Sequence, residues 1–277
     1  MMRGMFSAIS GLRVHQTMLD VTANNIANVN TIGFKGQRVS FADALSQVES
    51  GASAPSATLG GTNAMEVGLG VQLDGIDTQM TSGAIQSTGN PLDCAIQGDG
   101  FFRVTNDPTG FSNVSYTRAG NFQEDANGNL VTQDGYYVVG YALDSTGAPT
   151  TTQQTITIPP GTTSVSIGQN GIVTTVDSTG ASTPLAAISL AKFPNDAGLL
   201  RGSGNMFQLS NNSGAEQAGT AGTGGLGTVT PGAIEMSNVD LAQEFTNMIT
   251  AERGFQANSR TITTADEMLQ ELVNLKH

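Results

Sequence analysis

Few side chains in this 277-residue sequence are suited to catalysis or metal binding. The chain contains two histidines, His15 and His277, and one cysteine, Cys94. A zinc site needs several such ligands held close together, and three residues spread along the chain do not supply them. A serine nucleophile needs a positioned base, and neither histidine is a natural candidate for that role. We therefore expect no enzyme, no catalytic residue and no metal site.

One glycine pattern superficially fits a nucleotide-binding motif. Gly222, Gly224 and Gly227 match Gly-x-Gly-x-x-Gly. A dinucleotide site requires a strand before this motif and a helix after it. Here a segment rich in Gly, Thr and Ala precedes the motif, and the strand-like TVTPGAIEM follows it. We expect no cofactor.

Three other features are interpreted as structural. Residues 125–129 (DANGN) suggest a calcium loop, but the glycine falls too early, and a hairpin turn explains them better. Cys94 lies in an apolar run and is interpreted as a buried small side chain. His15 is interpreted as a residue on a helix surface.

Composition favours a folded protein with many turns. Charged residues make up 12% of the chain, apolar residues 38%, and 35 residues are glycine. The net charge of −12 repels phosphate backbones, so we expect no nucleic-acid partner. No apolar stretch approaches the roughly 20 residues of a membrane-spanning helix, so we expect no membrane insertion.

Each end of the chain carries a helical apolar pattern. Apolar residues there recur at alternating spacings of three and four, as on one face of a helix. Ser237 or Asn238 is a suitable N-cap for the second helix. We expect the two helices to pair as a coiled-coil-like inner domain, with two ordinary surface helices as the alternative. The predicted assembly interface consists of Met5, Ile9, Leu12, Leu19, Ile26, Leu241, Phe245, Met248, Phe255, Ile262 and Leu269.

The middle of the chain has a strand pattern. Short apolar runs alternate with turn pairs such as Asn127-Gly128, Asp134-Gly135, Asn170-Gly171 and Asp99-Gly100, and such pairs favour hairpins. The fold class is therefore predicted as α+β with a central antiparallel β domain. The expected domains are a terminal helical domain (1–30 and 237–277), a linker region (31–69 and 206–236) and the β domain (70–205). Within the linkers, 49–64 and 211–228 are expected to be flexible.

Four segments have a characteristic sequence: DVTANNIANVNTIGFK (20–35), LDCAIQGDGFF (92–102), YTRAGNFQEDANGNLVT (116–132) and the final segment 237–277. They resemble the flagellar rod/hook axial protein family. They follow the family's order from one end of the chain to the other. The residues that carry the first match are Asn24, Asn25, Asn28, Thr31, Gly33, Phe34 and Lys35.

The resemblance implies a self-assembling structural subunit. Terminal helices of many copies would line a tube, with the β domain outside. The segments SFADALSQ, NVDLAQEF and ELVNLKH look more like hook proteins than distal-rod proteins. We therefore expect the flagellar hook, a flexible joint that transmits torque from rod to filament, with the distal rod as the alternative. A secreted β-rich adhesin is a distant alternative of another class.

The resemblance also implies partners and location. The expected partners are copies of this chain, the rod, hook-cap and hook–filament junction proteins, and the flagellar export apparatus. Residues 1–16 do not fit a cleaved secretory signal, because polar residues interrupt their apolar stretch. Export through the flagellar type III channel would place the subunit in the flagellum, outside the cell, without such a signal.

Overall fold

The computed structural model describes residues 2–55, 60–144 and 146–275. They form two compact units, which we call the helical unit and the β unit. The helical unit consists of residues 1–27, 37–78 and 240–277. The β unit consists of residues 28–36 and 79–239. The fold is α+β, with a helix at each end of the chain and antiparallel β structure between them.

The two helices confirm the predicted helical ends. Helix α1 spans Met2–Ala27 and α2 spans Leu241–Asn274. The Asp240 carboxylate caps α2 by accepting hydrogen bonds from two backbone N–H groups of the first turn. The predicted cap at Ser237 or Asn238 is wrong, because the helix begins later and the Asn238 side chain bonds to the β unit instead. A carboxylate also interacts favourably with the helix dipole at this end.

Residues 37–78 of the helical unit form two antiparallel strand pairs. The strands are β1 (Gln37–Asp43), β2 (Ser46–Ser50), β3 (Met65–Gly68) and β4 (Val71–Thr78). Strand β1 pairs with β4, and β2 pairs with β3. The linker predicted at 31–69 is therefore wrong where these strands lie, because backbone pairing does not need large apolar side chains. In the flexible segment predicted at 49–64, residues 56–59 lie outside the described residues.

The β unit contains sixteen strands in the described part of the chain. They are β5 (Ile85–Ser87), β6 (Cys94–Gln97), β7 (Phe101–Thr105), β8 (Val114–Thr117), β9 (Gln123–Glu124), β10 (Leu130–Val131), β11 (Tyr137–Leu143), β12 (Pro149–Thr155), β13 (Thr162–Ile167), β14 (Ile172–Asp177), β15 (Ser182–Lys192), β16 (Leu200–Arg201), β17 (Met206–Gln208), β18 (Gln217–Thr220), β19 (Thr228–Pro231) and β20 (Ala233–Glu235).

Most of these strands join one sheet around β15. Within the described residues, the main path of the sheet runs β13-β14-β15-β11-β7-β8-β17-β16. The long strand β15 pairs antiparallel with β7, β11, β14 and β18. Two further antiparallel pairs are β6 with β19 and β5 with β20. The predicted central antiparallel β domain is confirmed.

The core of the β unit is apolar and closely packed. Phe102 and Phe122 meet edge to face with ring centroids 5.1 Å apart. Each large apolar side chain that is fully buried contributes about 1.5–3 kcal/mol. The main cluster consists of Cys94, Ile96, Phe102, Phe122, Leu130, Val138, Ile156, Ile167, Val173, Ala186, Ile188, Leu190, Ala221, Leu226 and Val229. A second cluster consists of Phe101, Tyr116, Ala191, Phe193, Leu199 and Phe207.

Three of the four predicted turn pairs connect paired strands. Gly128, Gly135 and Gly171 have φ values of 83°, 81° and 76°, which glycine adopts without strain. They join β9 to β10, β10 to β11 and β13 to β14. The hairpin predicted at Asp99-Gly100 is wrong, because β6 and β7 on either side of it pair with other strands.

The linker predicted at 206–236 is also wrong. It contains β17, β18, β19 and β20, and the Leu226 and Val229 side chains lie in the main core. Gly222, Gly224 and Gly225 have positive φ in the turn between β18 and β19. A high Gly content here serves a tight turn rather than a flexible chain. The Gly-x-Gly-x-x-Gly pattern therefore lies between two strands, which is not the setting of a dinucleotide site.

Candidate assembly surface

Small residues bring the two helices of the helical unit together. Ala8 and Gly11 of α1 are buried, as are Ala251 and Ala265 of α2. A Cβ atom added to Gly11 would lie 2.6 Å from the Asn258 Nδ2 atom, which shows how closely the helices approach. The helices therefore pack on each other, whereas a coiled-coil geometry stays a prediction.

The predicted interface residues lie beside this contact rather than in its centre. None of them is fully buried in the single chain. The intermediate ones are Met5, Leu12, Leu19, Ile26, Met248, Ile262 and Leu269. The exposed ones are Ile9, Leu241, Phe245 and Phe255. Sequence reasoning missed the small residues, although Ala8, Gly11, Ala251 and Gly254 also follow a spacing of three within each helix.

The helices leave a large apolar surface uncovered in the single chain. Phe6 is 63% exposed and Phe245 is 50% exposed. A contiguous exposed apolar patch marks an interaction site, and these side chains are the candidates for such a patch. The further exposed apolar residues of the helices and their ends are Met2, Ile9, Leu241, Ile249, Phe255, Met268, Leu272, Val273 and Leu275. We call these eleven residues the helix surface.

His15 contributes to the contact between the helices. A Cβ atom on Gly254 would lie 2.5 Å from the His15 ring, so the imidazole fills space that glycine leaves free. The ring also meets Phe41 edge to face, with centroids 6.0 Å apart. The interpretation of His15 as a surface residue is therefore wrong. Its apolar body suits the half-buried site better than solvent.

Asn25, in the segment that resembles the family, closes the first helix against β1. Its side-chain nitrogen donates to the Gln37 carbonyl oxygen at 2.8 Å, and its oxygen accepts from the Gln37 N–H at 3.0 Å. The same nitrogen also donates to Glu244 of α2 at 3.2 Å. The buried Asn25 amide thus satisfies the backbone N–H and carbonyl groups at the start of β1. It also connects β1 to both helices.

Other residues of that segment shape the first turn of the β unit. The Thr31 hydroxyl donates to the Asn28 side-chain oxygen at 3.0 Å. Gly33 has φ of 66°, and a Cβ atom there would lie 2.6 Å from the Ala119 backbone nitrogen. Only glycine fits that combination of close approach and positive φ. Asn24 is exposed on α1.

Phe34 and Lys35 are buried in the β unit. The Arg201 guanidinium lies over the Phe34 ring, 4.6 Å from its centroid, as in a cation–π contact. The Lys35 ammonium lies 2.6 Å from the Glu235 carboxylate. Burial lowers the pKa of Lys35 below its ordinary value, and Glu235 opposes part of that shift. These side chains fix the segment in place instead of facing a ligand.

The described residues contain no cluster of His, Cys, Asp or Glu that could hold a metal ion. The Asp125 carboxylate accepts hydrogen bonds from the Asn127 and Asn129 N–H groups, as the predicted hairpin turn requires. Cys94 is buried, as predicted, and burial raises the pKa of its thiol to about 12. A thiol with that pKa stays protonated and unreactive at neutral pH. Neither helix, in the part of the chain that is described, is long and apolar enough to cross a membrane.

Three protein families match successive parts of the chain. The flagella basal body rod protein family matches residues 5–35, the flagellar hook protein FlgE/F/G D1 domain matches residues 95–175, and the flagellar basal body rod FlgEFG protein C-terminal family matches residues 230–275. Together they cover more than half of the sequence. The chain belongs to the flagellar rod/hook axial protein family.

Whole-length relatives of this axial protein carry two different names. The flagellar basal-body rod protein FlgG of Bacillus subtilis is 50% identical over 278 residues, with both chains fully covered. The flagellar hook protein FlgE of Borreliella burgdorferi is 30% identical over 446 aligned positions, again with both chains covered. The FlgG of the same organism is 36% identical over 282 positions, covering 100% of this chain and 99% of the relative. The chain is thus a structural protein of the bacterial flagellum, which serves motility.

Proposed function

We propose that this chain is the self-assembling subunit of the distal rod of the flagellar basal body. The observation that carries the proposal is the 50% identity with the Bacillus subtilis rod protein FlgG over the whole length of both chains. An alignment of 278 positions leaves almost no room for insertions in either chain, since this chain has 277 residues.

A comparison within one organism supports the rod over the hook. The alignment with the Borreliella burgdorferi hook protein needs 446 positions, so that hook protein contains insertions that this chain lacks. The rod protein of that organism aligns over 282 positions at higher identity. The proposal therefore reverses the preference for the hook that the terminal segments suggested. The hook stays the second candidate, because its proteins also align with this chain from end to end.

Assembly would proceed by burial of the helix surface against neighbouring copies. Phe6, Phe245 and Ile249 are at least half exposed in the single chain. Each such side chain contributes about 1.5–3 kcal/mol to stability when it is fully buried. Polymerisation gives these side chains apolar partners that the single chain lacks. The predicted interface residues on both helices would then line the coiled-coil-like inner layer of a tube. The β unit, with its own core, would lie outside.

The proposed partners follow from an axial tube. Copies of this chain would contact each other, and the ends of the stack would contact other axial proteins: further rod proteins on one side, the hook with its cap and junction proteins beyond. The subunit would reach its place through the flagellar export apparatus.

Labelling of purified hook–basal bodies tests the proposal. An epitope is inserted after Ser178, in the exposed turn between β14 and β15, where it disturbs no core residue. Electron microscopy with a gold-labelled antibody should show label on the straight segment below the hook. Label along the curved hook would support the second candidate, and label on neither would reject both.

A further inference from the structure

Three charged side chains are buried together in the β unit. Glu235 lies between Lys35 and Arg118, and the exposed fractions of the three side chains are 0%, 1% and 4%. The Lys35 Nζ atom is 2.6 Å from Glu235 Oε1, and the Arg118 Nη1 atom is 3.1 Å from Glu235 Oε2. One carboxylate therefore neutralises only one of two buried cations. Removal of that carboxylate would leave both cations without the counter-charge that they share.

The cluster bonds to the backbone of separate chain segments. Lys35 Nζ donates to the Thr81 carbonyl oxygen at 2.8 Å, and the Gly83 N–H donates to Glu235 Oε1 at 2.8 Å. The Gly33 N–H donates to the Glu235 carbonyl oxygen at 2.7 Å. The segments 33–35, 81–83 and 235 are thus held together, and the bonds of the Lys35 ammonium and the Glu235 carboxylate are charge-assisted, which is the stronger kind.

Asn238 ties the same segments together three residues further on. Its side-chain oxygen accepts from the Gly36 N–H at 2.8 Å. Its side-chain nitrogen donates to the Gln79 carbonyl oxygen at 2.8 Å and to the Thr81 hydroxyl at 2.9 Å. The Gln79 N–H in turn donates to the Gly36 carbonyl oxygen at 2.8 Å. All of these groups belong to the β unit.

These segments are the places where the chain leaves or enters the β unit. The chain leaves it after Gly36, returns at Gln79 and leaves again after Val239. Three of the four connections to the helical unit therefore start from one bonded cluster. Apolar residues often replace a buried ion pair without loss of stability. The directional bonds to separate segments are what such a replacement would lose.

We propose that Lys35, Glu235 and Asn238 are positioning residues that fix these three connections to one another, and thereby set where the chain leaves the β unit toward β1, β4 and α2 during assembly. We call this set the junction lock. Its role in assembly rests on the proposed function, whereas its effect on the connections can be measured in the single chain.

Hydrogen exchange of the full-length monomer tests the lock directly. In Asn238→Ala, the Gly36 amide should exchange about 10-fold faster, because it loses its acceptor. In Glu235→Gln, the Gly83 amide should exchange on the order of 100-fold faster, because two buried cations repel each other. Amides of β15 should keep their protection in both variants. Unchanged exchange at Gly36 and Gly83 would overturn the proposal.

A second test compares variants that differ in the number of unpaired buried charges. Its expected result would not follow if these side chains only filled space. Glu235→Gln leaves two buried basic side chains without their shared carboxylate, whereas Lys35→Met with Glu235→Gln leaves only one. The double variant should therefore exchange more slowly at Gly33 than Glu235→Gln alone, despite carrying one more substitution. Lys192→Met, which breaks the partly exposed pair with Asp99, is the matched control. It should leave the exchange rates of the Gly33 and Gly83 amides unchanged. A double variant that exchanges faster than Glu235→Gln would contradict the proposal.

An assembly assay distinguishes failure of the junction-lock proposal from failure of the proposed function. Asn238→Ala should give a folded monomer whose tubes are fewer or irregular in electron micrographs. Regular tubes from Asn238→Ala would show that the lock does not govern assembly. If the unsubstituted chain forms no tubes under any condition, the proposed function fails, while the exchange measurements still decide whether the connections are locked.

Discussion

The two units of this protein differ in how far their aromatic side chains are buried. In the β unit, Phe101, Phe102 and Phe207 are at most 1% exposed and lie in the two apolar clusters of that unit. In the helical unit, Phe6 and Phe245 are at least half exposed, and the contact between the helices is made by small residues.

The difference suggests a division of labour between stability and assembly. A unit that buries its own apolar surface folds as an independent structure. A unit that leaves such surface exposed gains stability from a partner. Close approach of two helices through Ala and Gly leaves the larger apolar residues to either side of the contact. We infer that the β unit supplies a stable body and the helices supply the assembly surface.

The largest effect on stability is expected in the β core. Phe102→Ala removes a fully buried ring that packs on Phe122 and should lower the free energy of unfolding of the β unit by about 3–5 kcal/mol. Urea unfolding followed by tyrosine fluorescence measures it, since all four tyrosines lie in the β unit. A loss below 1 kcal/mol would mean that this core is not the stabilising element.

A charge on the helix surface should affect assembly and leave monomer stability unchanged. Phe245→Asp removes an apolar side chain worth about 1.5–3 kcal/mol in a full contact and should abolish tube formation. The monomer should keep its melting temperature, because Phe245 is half exposed there. Gln243→Glu adds the same charge two residues away without removing apolar surface and should still assemble. Sedimentation of polymer separates these outcomes, and normal assembly of Phe245→Asp would contradict the division of labour.

The close contact of the helices predicts a contrast between two glycines. Gly254→Ala would place a methyl group against the His15 ring and should destabilise the helix pair by about 1–3 kcal/mol. Gly4→Ala has no neighbouring atom within 4 Å and should stabilise α1 by about 0.5–1 kcal/mol through helix propensity. Thermal unfolding followed by circular dichroism at 222 nm compares them. Equal effects would show that the helices are not in close contact in solution.

Alkaline pH should lower the stability of the β unit because of the Cys94 thiol. Burial raises the pKa of its thiol from 9.0 to about 12, so between these values the folded chain keeps a proton that the unfolded chain loses. Stability should therefore fall as pH rises above 9, by up to about 1.4 kcal/mol per pH unit from this group. Cys94→Ala should remove that part of the pH dependence. An identical slope in both proteins would show that Cys94 does not titrate in this range.

The sequence predicted the positions of helices and hairpins better than it predicted which distant strands pair. Periodicity located α1 and α2, and Asn-Gly or Asp-Gly pairs located three hairpins, because local spacing and local φ preference decide both. The linkers at 31–69 and 206–236 were predicted from composition and were wrong where strands form. In those segments strand pairing depends on distant residues, as when β18 pairs with β15.

The candidate surface was predicted in part, for a related reason. The apolar row through Phe245 and Phe255 was recognised, and whether it forms the interface between copies stays a prediction. The small-residue contact through Gly11 and Gly254 was missed, because glycine carries no apolar signal and its value lies in the approach it permits. The buried set around Glu235 was also out of reach, since its charged residues lie far apart in the sequence.

Accessibility of a single introduced thiol tests most directly whether the helices form the contact between copies. Cys94 is fully buried and gives little background. Met268→Cys places a thiol on the helix surface where the side chain is 49% exposed in the single chain. Ser178→Cys places one in an exposed turn of the β unit as a control. Maleimide should label both in the monomer, and in assembled tubes the rate at position 268 should fall at least about 10-fold more than at position 178. Equal labelling of position 268 before and after assembly would contradict burial of the helix surface between subunits.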